Sequence, residues 1–256
     1  MEHGISSAQW YCLNELTAAI YNEPFDGLFG TVLRAVKELV PYSHSLTYLL
    51  RSEDGLNVSF NFKSNEIPPE HLRLYMDKYS RLDFINWYTS TCAAEVFRES
   101  DIIPDGLREK SVFMKNWMEP IGLYHSVGMV IWCEGIYYGA IFLYRPKDAE
   151  DFSIQELEVL RVINRHLCLR AHALYPDGLG QVFMQQGGPA GAVLSVTCLT
   201  KREREIIDCI RNHVLRSELC DKLFITENTL NKHFDNIYKK LNINSYEELL
   251  QLIKKR

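Results

Sequence analysis

The chain has 256 residues, of which 46% are hydrophobic and 24% charged, and its formal net charge is −5. This length and composition predict about two folded domains and exclude a mainly disordered protein. The longest apolar stretch, 127–133, is far shorter than the ~20 residues that cross a membrane, and the first residues show no secretion signal. We therefore expect a cytoplasmic protein without a membrane partner.

Charge is distributed unevenly along the chain. Residues 197–256 contain 12 Lys and Arg against 9 Asp and Glu, a net charge of +3, whereas residues 1–196 carry −8. This asymmetry is typical of an acidic sensing half joined to a basic half that meets phosphate.

The seven cysteines are scattered without a C-x-x-C pair, so we predict no metal site, no disulfide framework and no cofactor.

The amino-terminal pattern predicts two helices, a hairpin and a third helix. Apolar residues at helical spacing indicate helices from Ser7 to Tyr21 and from Phe25 to Leu39. The runs from Ser45 to Leu50 and from Leu56 to Phe62 flank turn residues and indicate two strands. A helix opens at Pro68-Pro69, and a less regular stretch follows over 96–122.

A second strand pair and a long helix complete this half. The runs from His125 to Trp132 and from Tyr137 to Tyr144 are almost continuously apolar, as in the middle of a sheet, and a tight turn joins them. Ser153 and Glu156 form a capping box at the start of a helix that ends near residue 174. Helices before, between and after four or five antiparallel strands predict an α/β/α sandwich with a central antiparallel sheet over residues 1–176.

The last part of the chain predicts a linker and an all-α domain. Residues 177–196 are rich in glycine and carry no charge after Asp177, which favours a flexible linker. Four helices follow in residues 197–256: one capped by Thr200, a short one over 216–223, one capped by Thr226 and one capped by Ser245. The predicted class is therefore α+β, with a four-helix carboxy-terminal domain.

This carboxy-terminal segment resembles the helix-turn-helix domain of LuxR-type transcriptional regulators. The matching residues are L-T at 199–200, R-E-R-E at 202–205, E-L-C at 218–220, T-L at 229–230, His233, N-I-Y at 236–238 and K-L at 240–241. The resemblance implies that the helix beginning near Thr226 enters the major groove of double-stranded DNA. It also implies a homodimer, with RNA polymerase as a further candidate partner.

The polar positions of that helix are the candidate DNA contacts, because its apolar positions are needed by the core. Asn suits a bidentate contact to adenine, and Lys suits guanine or phosphate. The family has a lysine where this chain has Asn231, so we expect the log–log salt dependence of nonspecific binding to fall by roughly one unit. The predicted contacts are Thr226, Asn228, Thr229, Asn231, Lys232, His233, Lys239 and Lys240.

The amino-terminal half resembles the GAF-like sensor domains fused to LuxR-type domains, including autoinducer receptors. The matching stretches are Y-x-x-x-Y-S-R-L-D-F at 75–84, E-S-D-I-I-P at 99–104 and G-L-Y-H-S-V-G at 122–128. Acyl-homoserine-lactone receptors have tryptophan where Tyr75 stands and proline after the aspartate, where Phe84 stands here. A different small apolar or aromatic ligand is therefore favoured. The candidate polar anchors are Tyr75, Tyr79 and Asp83, and the candidate walls are Trp87, Trp117 and Trp132.

Other functions have weaker support. The sequence has no nucleophile elbow, Walker loop or H-E-x-x-H, so we predict that the protein is not an enzyme. A phospho-accepting receiver domain requires a parallel α/β pattern, which conflicts with the antiparallel strands. Two alternatives stay open: a regulator without a ligand, and a helix-turn-helix that contacts only proteins.

Overall fold

The structure, a computed structural model, describes residues 6–53, 56–83, 85, 95–180, 194–195, 199–212, 214–241 and 243–254. In the amino-terminal part the helices are α1 (Ser7–Asn22), α2 (Phe25–Leu39), α3 (Pro69–Asp77), α4 (Glu99–Ile102), α5 (Asp105–Arg108) and α6 (Ile154–Leu174). The strands are β1 (His44–Glu53), β2 (Leu56–Asn65), β3 (Val96–Arg98), β4 (His125–Cys133) and β5 (Ile136–Arg145), and a two-residue strand, β6 (Leu194–Ser195), follows.

The strands form one antiparallel sheet in the order β3-β4-β5-β1-β2-β6. The two predicted hairpins, β1–β2 and β4–β5, therefore lie side by side, and β5 occupies the centre. Glu134 and Gly135 join β4 to β5 with φ angles of 49° and 84°. Two positive φ angles make a turn whose twist matches that of the strands, which explains the tight connection.

Two apolar layers cover the sheet, because successive side chains of a strand point to opposite faces. On one face, β5 directs Ile141 and Leu143 toward the core formed with α1, α2 and α6. On the other face, β5 directs Phe142 and Tyr144 toward a core formed with α3 and the segment 102–123. The α/β/α sandwich predicted from the sequence is thus confirmed.

The stretch over 96–122 is more ordered than its sequence pattern indicated. It contains the edge strand β3, the two four-residue helices α4 and α5, a π-helix at Met114–Met118 and a 3-10 helix at Glu119–Ile121. Each of these elements is too short to produce a hydrophobic period, so periodicity alone could not detect them.

The carboxy-terminal part contains α7 (Lys201–Arg211), a 3-10 turn (Arg216–Glu218), α8 (Leu219–Leu223), α9 (Glu227–Leu241) and α10 (Tyr246–Lys254). Thr200 and Glu203 form the predicted capping box of α7, and Ser153 and Glu156 form that of α6. Most of the predicted linker, 181–193 and 196, lies outside the described residues. Among the described residues, no helix has the length and apolar character needed to span a bilayer.

Gly139 lies in β5 at a point where the backbones of β5 and β1 approach each other closely. Its register partners are Leu49 on β1 and Ile131 on β4, and a Cβ atom at residue 139 would lie 2.5 Å from the carbonyl oxygen of Tyr48. Only glycine permits this approach, since the neighbouring atom is backbone.

We expect Gly139→Ala to lower the free energy of unfolding by about 2 kcal/mol, because the added methyl must displace β1. The control is Gly30→Ala in α2, where a Cβ atom would find its nearest neighbour, the Arg34 side chain, at 3.6 Å. This control should raise stability by about 0.5–1 kcal/mol, as alanine favours helix. Urea denaturation checks both, and equal stability of Gly139→Ala and wild type contradicts the prediction.

Candidate functional site

A tight turn joins the two helices of the helix-turn-helix. Phe224 adopts a left-handed conformation with φ 53°, and its ring is 93% exposed. The amide of Ile225 donates to the carbonyl of Cys220 at 3.0 Å, which closes the end of α8. Helices commonly end on a residue in this conformation, and here it redirects the chain into α9.

Thr226 caps α9 as the sequence predicts. Its Oγ1 accepts a hydrogen bond from the amide of Thr229 at 3.3 Å, and the two threonine hydroxyls lie 2.8 Å apart. The inward side chains Leu230, Phe234 and Ile237 are at most 2% exposed. These apolar contacts fix the orientation of α9 about its axis and turn its polar side outward.

The structure brings most of the predicted DNA contacts together on this outward side. His233 is half-buried at its edge, and the side chain of Lys240 lies outside the described residues. The acidic Glu227 and Asp235 share the exposed surface, where a carboxylate can accept a hydrogen bond from cytosine. The remaining predicted contacts are all exposed: Thr226, Asn228, Thr229, Asn231, Lys232 and Lys239.

Arg216 also belongs to this surface, although the sequence patterns did not single it out as a contact. Its guanidinium lies 4.7 Å from the ring centre of Phe234 and 5.3 Å from that of Tyr246, and its Nη2 donates to Oδ1 of Asn231 at 3.2 Å. The rings hold the guanidinium by cation–π attraction. The available signal was the arginine itself, which the sequence places at the start of the short helical segment before α9.

The contact between Arg216 and Asn231 has two chemical consequences. A guanidinium only donates hydrogen bonds, so the amide of Asn231 must turn its oxygen toward Arg216 and its NH2 group away. In addition, the guanidinium places a positive charge beside position 231, where the family carries one on its lysine. This charge can offset the weaker salt dependence that Asn231 alone would cause.

In the amino-terminal domain, Tyr75 and Asp83 form a buried hydrogen-bonded pair. The Tyr75 hydroxyl donates to Oδ2 of Asp83 at 2.9 Å, and the amide of Ile85 donates to Oδ1 at 2.9 Å. Burial, and secondly the charge of Glu99, raise the pKa of Asp83 to about 7, although the two hydrogen bonds act in the opposite direction. Near neutral pH this carboxyl group is therefore present in both its charged and its neutral form.

Aromatic rings surround this pair. The ring of Trp117, which is fully buried, lies 4.9 Å from that of Tyr75 and stacks on Phe113 at 5.1 Å. From the sheet, Tyr144 approaches Trp117 at 6.1 Å, and burial raises its pKa well above the usual value. Tyr48 is buried on the same sheet face and also has a raised pKa, chiefly because of burial.

A second buried acid, Glu99, lies near this cluster. It is 2% exposed and accepts a hydrogen bond from the Ser126 hydroxyl at 2.7 Å. Burial raises the pKa of Glu99, and the charge of Arg108 opposes that shift. Arg108 is itself 2% exposed and donates from Nη1 to the carbonyl of Tyr124 at 2.6 Å. Two carboxyl groups and one guanidinium are thus buried in this domain.

The predicted ligand residues separate into three groups. Tyr75 contacts both Asp83 and Trp117, as described. Tyr79 is buried, and Trp132 is half-buried with its ring 6.4 Å from that of Tyr137. Trp87 lies outside the described residues. Sequence patterns did not single out Glu99, Arg108, Phe113 or Tyr144, although strand alternation could have assigned Tyr144 to the same sheet face as Phe142.

Residues 197–253 match the family described as "Bacterial regulatory proteins, luxR family". This range contains α7, α8, the turn at Phe224, α9 and all but the last residue of α10. Residues 197–253 form a LuxR-type helix-turn-helix domain. Among curated proteins, no match to this chain is found.

Several solved structures are similar to this chain. SdiA from Escherichia coli is 15% identical, with a TM-score of 0.51 over 96% of this chain and 95% of that chain. SdiA in complex with octanoyl-rac-glycerol is also 15% identical, with a TM-score of 0.50 over 98% and 96%. The transcription factor CepR2 from Burkholderia cenocepacia is 17% identical, with a TM-score of 0.47 over 66% and 95%. The SdiA structures show that the fold is shared along nearly the whole chain.

The raised pKa of Asp83 predicts a pH-dependent stability. The folded state holds the Asp83 proton more tightly than the unfolded chain, whose aspartate titrates near its ordinary value of about 4. The stability due to Asp83 is therefore fully present below about pH 4 and is lost as the pH rises through about 7. We expect Asp83→Asn to reduce the fall in unfolding free energy between pH 5 and pH 8, measured by urea denaturation. Asp148→Asn, at an exposed aspartate, is the control, and identical pH profiles for wild type and Asp83→Asn contradict the assignment.

Proposed function

We propose that this protein is a DNA-binding transcriptional regulator in the cytoplasm that binds paired half-sites as a homodimer. We further propose that a small molecule bound beside Asp83 modulates its activity. The observation that carries the first part is α9, whose apolar side is buried and whose polar side is exposed within the matched LuxR-type segment. An enzymatic role has no comparable support.

The charge of the exposed surface supports DNA over a purely protein partner. Arg216, Lys232 and Lys239 place three cations on or beside the polar side of α9, and Asn228 and Asn231 supply amide groups that suit base edges. Phosphate contacts would position the helix, and the amides would read the sequence.

The buried pair of Tyr75 and Asp83 supports a ligand with an apolar body and a polar group. Aromatic rings provide the apolar surroundings, and Asp83 can donate or accept a hydrogen bond because its pKa is about 7. The molecule in complex with SdiA in one of the similar structures, octanoyl-rac-glycerol, is an uncharged compound of this general type. Acyl homoserine lactones form the alternative class, and a regulator without ligand is the remaining one.

The DNA-binding proposal predicts a specific salt dependence. With a duplex selected in vitro, we expect Arg216→Gln and Lys232→Gln each to lower the log–log slope of affinity against salt by about one unit, because each removes one phosphate contact. Lys110→Gln, at an exposed lysine of the amino-terminal domain, should leave the slope unchanged. Fluorescence anisotropy over a salt series measures all four proteins. A folded wild type that binds no duplex contradicts the proposal and favours a protein-only role.

The ligand proposal predicts binding that depends on Asp83. With octanoyl glycerol as the probe and tryptophan fluorescence as the signal, Asp83→Leu should weaken binding about tenfold or more, since the buried hydrogen-bonding group is lost. Circular dichroism controls for folding, and Asp148→Leu should bind as wild type does. No binding of the probe by wild type, or equal affinity in Asp83→Leu, contradicts this site.

A further inference from the structure

Two aromatic rings hold Arg216 in a fixed place beside the exposed side of α9. Its guanidinium lies 4.7 Å from the ring centre of Phe234, which is 1% exposed, and 5.3 Å from that of Tyr246. The two rings meet edge to face, with centres 5.7 Å apart and an interplanar angle of 89°. Cation–π attraction to two packed rings leaves the guanidinium little freedom to move, although Arg216 itself is exposed.

This fixed guanidinium sets the orientation of the Asn231 side chain. Its Nη2 donates to Oδ1 of Asn231 at 3.2 Å, so the amide oxygen faces Arg216 and the NH2 group faces away. Because α9 begins at Glu227, Asn231 lies in its second turn, on the exposed side. In a helix-turn-helix, the amino-terminal residues of the second helix contact base edges. Asn231 is therefore placed to meet a base, and the group that it presents is a hydrogen-bond donor.

A donor at this position discriminates between bases in the major groove. Asparagine reads adenine through two hydrogen bonds, one accepted from N6 by the amide oxygen and one donated by the NH2 group to N7. With its oxygen turned toward Arg216, the amide of Asn231 cannot place both groups on the adenine edge. Guanine shows only acceptors, N7 and O6, and both suit an outward NH2 group. Cytosine presents a donor instead, and thymine offers a single acceptor beside its methyl group, so guanine fits best.

Asn228 provides a contrast within the same helix. It is exposed, and among the described residues none is hydrogen-bonded to its side chain. Its amide can turn freely, so both the oxygen and the NH2 group can reach an adenine. These two asparagines should therefore read different bases, one through a free amide and the other through an amide that Arg216 holds.

We propose that Arg216 is a positioning residue that sets the base specificity of Asn231, so that the protein prefers guanine to adenine at the base pair that Asn231 meets. Without Arg216, the same asparagine would suit adenine. The remaining N–H groups of Arg216 stay available to a phosphate. This inference rests on the proposed function, because it requires that α9 enters the major groove. It adds to that function the identity of one base in the half-site.

In vitro selection of duplexes from a randomised library by the full chain tests this assignment. Asn231→Ala identifies the base pair concerned, because the preference is lost there. At that position wild type should prefer guanine to adenine about tenfold or more, and Arg216→Met should prefer adenine. Methionine can still pack against the rings but donates no hydrogen bond, so the Asn231 amide becomes free to turn. Selection at low salt compensates for the phosphate contact that Arg216→Met also loses.

Lys239→Met is the matched control for the loss of a charge. It removes a cation from an exposed position about two turns beyond Asn231 on α9. This variant should bind more weakly than wild type but keep the guanine preference. The base pair that Asn228 meets, identified with Asn228→Ala, should favour adenine equally in wild type and in Arg216→Met. Circular dichroism controls for folding in every variant.

Several results overturn the role of Arg216: a wild type that prefers adenine where Asn231 reads, an unchanged preference in folded Arg216→Met, or a guanine preference that Lys239→Met also loses. An Asn231→Ala variant that loses preference at no position overturns it as well. In each of these cases wild type still binds duplex, so the proposed function stands and the inference alone fails. A folded wild type that selects no duplex contradicts the proposed function, and the inference fails with it.

Discussion

The alternation of side chains along β5 is the constraint on which the amino-terminal domain depends. Because Ile141 and Leu143 face one layer, Phe142 and Tyr144 must face the other. The first layer is mainly aliphatic and joins the sheet to three long helices, whereas the second is richer in aromatic rings and contains the buried acids. The side chains of β5 thus point into an apolar layer on one face of the sheet and, on the other face, into a layer that contains buried ionisable groups. The close contact at Gly139 keeps β5 and β1 in the register that maintains this division.

Burial of two carboxyl groups in an aromatic layer costs desolvation free energy, which hydrogen bonds and opposite charges must offset. Glu99 is stabilised by Ser126 and by the charge of Arg108, which is buried with it. Asp83 has hydrogen bonds from Tyr75 and Ile85, but burial and the charge of Glu99 outweigh them and raise its pKa to about 7. A site that serves only packing would be more stable with an apolar residue at position 83, since buried charges are rarely favourable without a partner.

The sequence predicted the long elements well and the sites only in part. Capping residues such as Ser153 and Thr226 and the period of α1, α2 and α9 are local signals, so they specify helices without knowledge of the fold. The Tyr75–Asp83 pair consists of two residues that the sequence analysis had named together as candidate polar anchors. Arg216, in contrast, acts on Asn231 from a different helix, and the buried Glu99 meets Ser126 across 27 positions. Such contacts depend on tertiary packing, which no local pattern contains.

Strand β4 contributes side chains to both apolar layers of the amino-terminal domain. On β4, the Val130 side chain belongs to the aromatic layer, while its carbonyl oxygen accepts a hydrogen bond from Nδ2 of Asn164 at 3.0 Å. Asn164 is fully buried on the inner side of α6. Packed interiors transmit displacements because they contain little free space. A displacement of β4 would therefore also displace α6, because Asn164 links the two elements.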